Sequence, residues 1–354
     1  MIKLDMKIII FAGGTGTRMW PLSRKSLPKQ FIKMFNGKCT LELAIERLQS
    51  FGYENIYIST LEEYVDLTKQ TVPMLPEKNI IKEPALRNLA PAVGLAVTKI
   101  KKENYSGPVA ILWADHLMKD VNNFIETLNK AKNFVEKNKN IIAFMGEAPR
   151  FANNNLGWIH TGEEIKEGVY KFIEWHYKPP VEKCKKMFES GEWLWNPGYF
   201  VMDIDHLFSL YEKYQPEMYK KLKQIGGENA QDIYPTLEKI SFDNGIIENI
   251  PAEGAVVLKT NMGWSDPGTT YALKEALVGK GNDNMMEGLV ESLNTKDCLI
   301  INKEDSKLAA AVGLEGMVVI NLEDVLLVAN KENILEISDL IESLKEKEEY
   351  QKYL

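Results

Sequence analysis

Cysteine is scarce in this chain: Cys39, Cys184 and Cys298 are its only three, and they lie far apart. No CxxC pair occurs, which argues against a zinc site or a disulfide framework and makes a reducing compartment the simple expectation. Long apolar runs are also missing. The longest are strand-sized, such as residues 8–12, well short of the roughly 18 residues of a membrane helix. The start, MIKLDMKIIIFAGG, holds too short an apolar stretch for a signal-peptide core. The expectation is a cytoplasmic protein with no membrane partner. Nor is there an excess of positive charge: 43 Lys and Arg stand against 50 Asp and Glu, a formal net charge of −7. That is not the footprint of a general nucleic-acid binder, so no nucleic-acid partner is expected. Any anionic ligand must be held by a local basic site, because the global field will not attract it.

The 354 residues are 45% hydrophobic and 26% charged, ordinary globular composition with enough length for a sizeable core. Strand-like apolar runs occupy residues 7–12, 55–59, 109–114 and 141–145. Helical spacing fits residues 40–49, 91–101 and 121–137; the last has Phe124, Leu128, Ala131 and Val135 on one stripe. Pro91 sits near a first turn, where a missing N–H costs little. Strand alternating with helix predicts a parallel or mostly parallel α/β sheet. Such sheets bind ligands beyond the carboxyl ends of their strands, where residues 13–18 and Asp115 fall.

After about residue 280 the pattern changes. Short apolar runs begin at Leu289, Leu299, Leu308, Met317 and Val325, spaced 8 to 10 residues apart. That rhythm predicts a small all-β unit, either stacked coils or a compact sandwich. Residues 338–354 are rich in Glu and Lys and are expected to be helical. The expected domains are therefore 1–280 and 281–354.

The most informative stretch follows the first strand: Ala12, Gly13, Gly14, Thr15, Gly16, Thr17, Arg18, then Pro28 and Lys29. Three glycines in four positions let backbone N–H groups close on a ligand without Cβ obstruction, forming an anion-binding concavity. No Lys-Ser or Lys-Thr directly follows a glycine of this loop, so this is not a Walker A loop, and Met19 stands where a Rossmann fingerprint needs its last glycine. Arg18 and Lys29 instead supply two cations, one a planar fork for phosphate and one a mobile point charge.

This segment resembles the signature of the sugar nucleotidyltransferases, GGxGTRxxPLSxxxPKQF. Trp20 and the Gln30-Phe31 ending resemble the mannose-1-phosphate guanylyltransferase branch. Glu83-Pro-Ala-Leu-Arg87-Asn88-Leu-Ala90-Pro91-Ala92 is similar to its EPxxRNTAPA segment, and Trp113-Ala-Asp115-His116 to PADH. Trp195-Asn196-Pro-Gly198-Tyr-Phe200 is similar to WNSGxF, and Gly263-Trp264-Ser265-Asp266-Pro-Gly268 to GWSDVG. The likeness runs over roughly residues 6–340. It implies a Rossmann-like open mixed sheet, followed by a β-helix-like all-β unit.

The resemblance also implies a reaction: guanylyl transfer from GTP to mannose 1-phosphate with Mg²⁺, releasing pyrophosphate. The attacking phosphate oxygen is already anionic, so no general base is needed; alignment and charge neutralisation are. The expected catalytic set is Arg18, Lys29, Asp115 and Asp266, with both aspartates on the metal. The expected nucleotide contacts are residues 12–18 and Lys29, together with Glu83, Arg87, Asn88 and Ala90. Glu83 and Asn88 are candidates for reading guanine, whose donors a carboxylate accepts.

For the sugar phosphate the expected residues are Gly157, Glu174, Lys178 and Asn196. The family's FxEKP is read here as Phe172-Ile-Glu174-Trp-His-Tyr-Lys178-Pro179, with three residues between Glu174 and Lys178. That departure keeps open another hexose 1-phosphate or base. A non-catalytic nucleotide-sugar-binding subunit is a further alternative. A metal-dependent glycosyltransferase is disfavoured, because Leu117 stands where an Asp-x-Asp pair needs its second acid. Longer bacterial members append a cupin-like isomerase domain; with 354 residues and all four histidines before Gly281, no such domain or isomerase activity is expected here. A homodimer through the C-terminal part is a further expectation.

Overall fold

The computed structural model describes residues 6–14, 16–226, 229–278 and 281–354. Thr15, one of the expected nucleotide-binding positions, lies outside them. The chain packs as two units. The first takes the residues up to Gly13 with Leu41–Ala114 and Met118–Trp264; the second takes Gly14–Thr40, Asp115–Leu117 and Ser265–Leu354.

The first unit is built on one mixed ten-stranded sheet. Its strands are β1 (Lys7–Phe11), β2 (Ile56–Leu61), β3 (Ile80–Glu83), β4 (Pro108–Trp113), β5 (Ile142–Glu147), β6 (Gly157–Lys166), β7 (Val169–Tyr177), β8 (Trp193–Asn196), β9 (Phe200–Asp203) and β10 (Ala255–Thr260). β1 lies parallel between β2 and β4, and β3 continues beside β2. Ile8, Ile9 and Ile10 are wholly buried, as a strand covered on both faces requires. β9 runs antiparallel between β4 and β5, and β10 is parallel to β5. β6 and β7 form an antiparallel pair with β8 on the other side of β6. Helices cover the sheet. In Val121–Lys137 the Asp120 carboxylate caps the Asn123 N–H, and Phe124, Leu128, Ala131 and Val135 are fully buried. Each large apolar side chain so buried contributes about 1.5–3 kcal/mol.

The second unit joins the glycine-rich loop to a stack of short strands. These are β11 (Met285–Glu287), β12 (Val290–Leu293), β13 (Leu299–Asn302), β14 (Ala309–Val312), β15 (Met317–Asn321) and β16 (Leu326–Asn330). β11, β13 and β15 pair in parallel, as do β12 and β14, while β16 closes antiparallel on β15. From β11 to β15 successive strands alternate between two small sheets, so the rhythm of 8 to 10 residues corresponds to stacked coils. The Asn302 amide donates to the carbonyls of Leu289 and Lys307 and accepts from Asn321, an asparagine ladder across coils. Leu299, Ile301, Val318 and Ile320 share an apolar core with Met19, Trp20, Ile32 and Met34 of the loop.

A charged cluster ties the Thr270–Val278 helix to this stack. The fully buried Lys274 ammonium donates to Asp297 at 2.5 Å, Lys331 donates to the same carboxylate at 2.7 Å, and the Tyr271 hydroxyl at 2.8 Å. Residues 338–354 are only partly one helix. Ile337–Lys345 is α-helical, Lys347 takes extended backbone, and Glu348–Tyr353 forms a 3₁₀ turn. All three cysteines are free and buried. No helix among the described residues is long and apolar enough to cross a membrane.

Candidate active site

In the second unit the loop draws its cations toward two carboxylates. Gly16 has φ +64°, and a Cβ there would stand 2.7 Å from Lys29 Cβ. Only glycine allows the loop to close so tightly on the lysine. The Gly16 carbonyl accepts from the Met19 N–H and from the Ser23 hydroxyl, which fixes the turn. Lys29 donates to the Asp115 carboxylate. Leu117 and Ser265 exchange backbone hydrogen bonds at 3.0 Å, laying the Asp115 and Asp266 segments side by side. Asp266 turns back through its carbonyl, which accepts the Gly268 N–H. A Cβ on Gly268 would stand 3.5 Å from the Arg18 guanidinium.

Burial works against both charges of the Lys29–Asp115 pair, and the pairing outweighs it. Lys29 is raised because Asp115 and Asp266 favour its ammonium, while Arg18 opposes. Asp115 is held down at about 2 by Lys29 and His116 despite its desolvation. Arg18, Lys29, Asp115 and Asp266 thus come together in one unit. Beside them Met19, Ile32, Met34, Phe35 and Leu273 line a small recess that reaches Lys29 and Asp115.

In the first unit the carboxyl end of β1 carries Ala12 and Gly13. The Ala12 N–H donates to Ser59, and its carbonyl accepts from the Thr60 hydroxyl. Gly13 packs on the carboxylate of Glu83, where an added Cβ would meet Oε1 at 3.5 Å. Glu83 is buried and accepts from the Ser59 hydroxyl at 2.7 Å and from Tyr234 at 3.3 Å. Burial raises it, and those two hydrogen bonds oppose the rise. Asn88 has φ +67° and caps Leu89–Lys102 with its own side chain. Arg87 Nε is buried without a hydrogen-bond partner, a donor suited to an anion. Ala90 gives its N–H to Ile240 and its carbonyl to Tyr211, so its backbone is spent in the core.

The sugar-side residues divide. Cross-strand partners share a face of a sheet, and neighbours along a strand alternate. Gly157 pairs with Asn196 on one side and with Tyr177 on the other. Asn196 Oδ1 accepts the Gly198 N–H at 2.8 Å, and a Cβ on Gly157 would crowd Asn196 at 3.3 Å. Glu174 pairs with His160, one step out of phase, and therefore points to the opposite face. There its carboxylate lies beside His160 and His176, which both stack on Trp193. The strand register does not bring Glu174 together with Gly157 and Asn196; it puts Tyr177, 68% exposed, in that place. Lys178 follows with φ +45°, its ammonium over the Tyr177 ring.

Two residues that the motif reading passed over act just before Asp266. The buried Glu147 carboxylate accepts the N–H groups of Met262 and Trp264 at 2.9 and 3.0 Å. Arg150 donates to Glu147 and to the Trp264 carbonyl, and lies 4.8 Å above the Trp195 ring. The Glu-x-x-Arg spacing after a strand was the only sequence signal for them.

The Nucleotidyl transferase family model matches residues 7–280, and the MannoseP isomerase/GMP-like beta-helix domain model matches residues 289–344. The chain is 31% identical to a putative mannose-1-phosphate guanylyltransferase of Vibrio cholerae, over 95% of this chain and 74% of that protein. It is 30% identical to the mannose-1-phosphate guanylyltransferase of Salmonella montevideo, over 95% of this chain and 73% of that one. A crystal structure from Thermus thermophilus, named a mannose-1-phosphate geranyltransferase, superposes with a TM-score of 0.86 at 26% identity, covering 96% of this chain and 99% of the other. With a glycine loop, two cations and two carboxylates in one unit and a stack of parallel coils behind them, the chain belongs to the nucleotidyltransferases, in the mannose-1-phosphate guanylyltransferase family.

Proposed function

We propose that the protein transfers the guanylyl group of GTP to mannose 1-phosphate, giving GDP-mannose and pyrophosphate. An oxygen of the sugar phosphate attacks the α-phosphorus, the bond to the β-phosphate oxygen breaks, and pyrophosphate leaves with that electron pair. The chain's task is to hold attacker and leaving group in line and to neutralise charge. Arg18 faces the developing charge on the phosphates, and Lys29 contacts the α-phosphate or the leaving group. The observation that carries this reading is the gathering of Arg18, Lys29, Asp115 and Asp266 in one unit.

The same residues suit Mg²⁺. Among the described residues no group of three or more His, Cys, Asp or Glu is arranged to hold a metal. Mg²⁺ does not require one, since one or two carboxylates with phosphate oxygens and water satisfy it. Asp115 and Asp266 would hold the ion, which would supply positive charge against the phosphates. Around the nucleotide, Gly13, Gly14, Gly16 and Thr17 offer backbone donors, with Ala12, whose own N–H is held by Ser59, at the root of the loop. Arg87 offers its unpartnered Nε, Glu83 and Asn88 are the candidates for reading the base, and Ala90, wholly buried, supports them from the core. Gly157, Asn196 and Lys178 serve the sugar phosphate. Glu174 belongs to this proposal only through a change of register, and its position favours a second reading, in which a different hexose 1-phosphate is the acceptor.

In this reading residues 1–280 are the catalytic domain and 281–354 the appended β unit. A homodimer is also proposed: Leu293 and Val312 face each other across β12 and β14 with 62% and 67% of their surface exposed. Sedimentation would check it. The activity is tested by pyrophosphate release with each nucleoside triphosphate paired with mannose 1-phosphate and with glucose 1-phosphate. Release confined to GTP with mannose 1-phosphate supports the proposal; release with another pair keeps the chemistry and changes the substrate.

A further inference from the structure

The signature loop has little regular structure of its own. Between Gly14 and Thr40 it holds two three-residue turns, Thr17–Met19 and Lys29–Phe31. Its shape must come from tertiary contacts, and a distant part of the sequence supplies them. The Trp20 indole N–H donates to the Tyr353 carbonyl at 2.7 Å, across 333 positions of sequence. The Arg24 guanidinium makes a two-pronged hydrogen bond to the Asp324 carboxylate at 2.6 and 2.7 Å. Met19, Trp20 and Leu22 share their apolar cluster with Ile334, Ile337 and Ile341, and Leu354 packs against it. The segment so held begins one residue after Arg18 and ends before Lys29. A bidentate Arg–carboxylate fork sets orientation as well as distance.

We infer that residues 324–354 are a positioning element of the active site: Asp324 and the Tyr353 carbonyl hold Arg24 and Trp20, so that Arg18 and Lys29 face the phosphates in a fixed geometry. The inference rests on the proposed roles of Arg18 and Lys29 in phosphate transfer. Neither Asp324 nor Arg24 is assigned a contact with the reacting groups; both act through the loop. A displacement of about 1 Å at a reacting group can cost up to roughly 100-fold in rate, so a fastening remote from the chemistry has leverage over it.

The experiment compares Asp324→Asn, Trp20→Phe and the charge exchange Arg24→Asp with Asp324→Arg against the unaltered chain. It has three readouts: pyrophosphate release, thermal midpoint and trypsin cleavage after the exposed Arg18 and Lys25. Cleavage reports the opened fraction of the loop and needs no substrate. The expected result for Asp324→Asn and Trp20→Phe is faster cleavage at those two sites and a loss of roughly tenfold in kcat/KM for the nucleotide. The midpoint should stay nearly unchanged in Asp324→Asn and fall in Trp20→Phe, which also removes part of a buried ring. The charge exchange should restore both. Faster cleavage with unchanged kcat/KM would overturn the inference, because the contact would then be structural only. Unchanged cleavage in both single variants would overturn it as well. If the unaltered chain released no pyrophosphate with any substrate pair, the proposed function would fail. Cleavage would still decide whether the fastening exists.

Discussion

In the first unit Glu83 is buried against hydroxyls and Glu147 chiefly against backbone N–H groups, with Arg150 beside it, whereas in the second the half-buried Asp115 and the buried Asp297 meet ammonium groups. Desolvation is the largest influence on all four. It prevails where hydroxyls and backbone N–H groups are the main partners, so Glu83 and Glu147 are raised. It is overcome where ammonium groups are the partners, so Asp115 and Asp297 are lowered. The difference separates two tasks. Glu83 packs against Gly13 while accepting from two hydroxyls, and Glu147 accepts the N–H groups of the chain before Asp266. Asp115 and Asp297 keep full charge, one beside Lys29 and the other as the anchor of a buried lysine.

Asp297→Ala is the strongest way to break that comparison. It leaves Lys274 charged, buried and short of its carboxylate partner, and removing one member of a buried pair costs about 3–5 kcal/mol. Chemical denaturation should show a loss of that size; a loss below about 1 kcal/mol would mean that the cluster is solvated and behaves as a surface pair. The sign of its pH dependence is fixed too. A lowered carboxylate adds stability above its ordinary value of 3.8, and that stability is lost as pH falls toward the folded value. The deficit of the variant should therefore narrow in acid.

Lys29→Met should reduce kcat by roughly 100- to 1000-fold while leaving the fold intact, the scale for removing a preorganised charge-stabilising donor. Asp266→Asn should likewise abolish turnover in a folded protein. Near-normal rates in either variant would remove that residue from the catalytic set. Glu83→Gln gives a smaller and opposite signature. Because Glu83 is raised, its contribution is full below its ordinary value of 4.5 and is lost as pH rises through the folded value. The unaltered chain should lose stability over that rise, and Glu83→Gln should flatten the curve; an unchanged slope would mean that Glu83 does not titrate in the folded state as described. The smallest effect is expected from Glu174→Gln, which should leave the KM for the sugar phosphate within about twofold, as a surface change does. A large rise would show that the strand shifts register on binding, whereas Lys178→Ala should raise that KM in either case.

The parallel half of the sheet was legible because its strands are short apolar runs with helices between them, and the observed strands β1, β2, β4 and β5 lie within a few residues of the expected ones. β6 to β9 were not expected as strands. Segments such as Trp158-Ile-His-Thr mix aromatic and polar residues, since the two faces of an antiparallel ribbon meet different surroundings. The glycine loop and the two aspartates could be read because their chemistry is local in sequence. Glu174 shows where that reading stops: a side-chain period of two means that one step of register exchanges the faces, and motif spacing does not report register. Arg24 and Asp324 stand 300 residues apart, and Lys274 meets Asp297 only once the coils stack, so neither pairing leaves a mark in a single sequence.

The most direct test of the central claim is pyrophosphate release by the unaltered chain with Mg²⁺, GTP and mannose 1-phosphate, each omitted in turn. Steady release that needs all three is the predicted result. No release with that mixture, while the protein is folded and binds GTP, would contradict the assignment of Arg18, Lys29, Asp115 and Asp266 to guanylyl transfer.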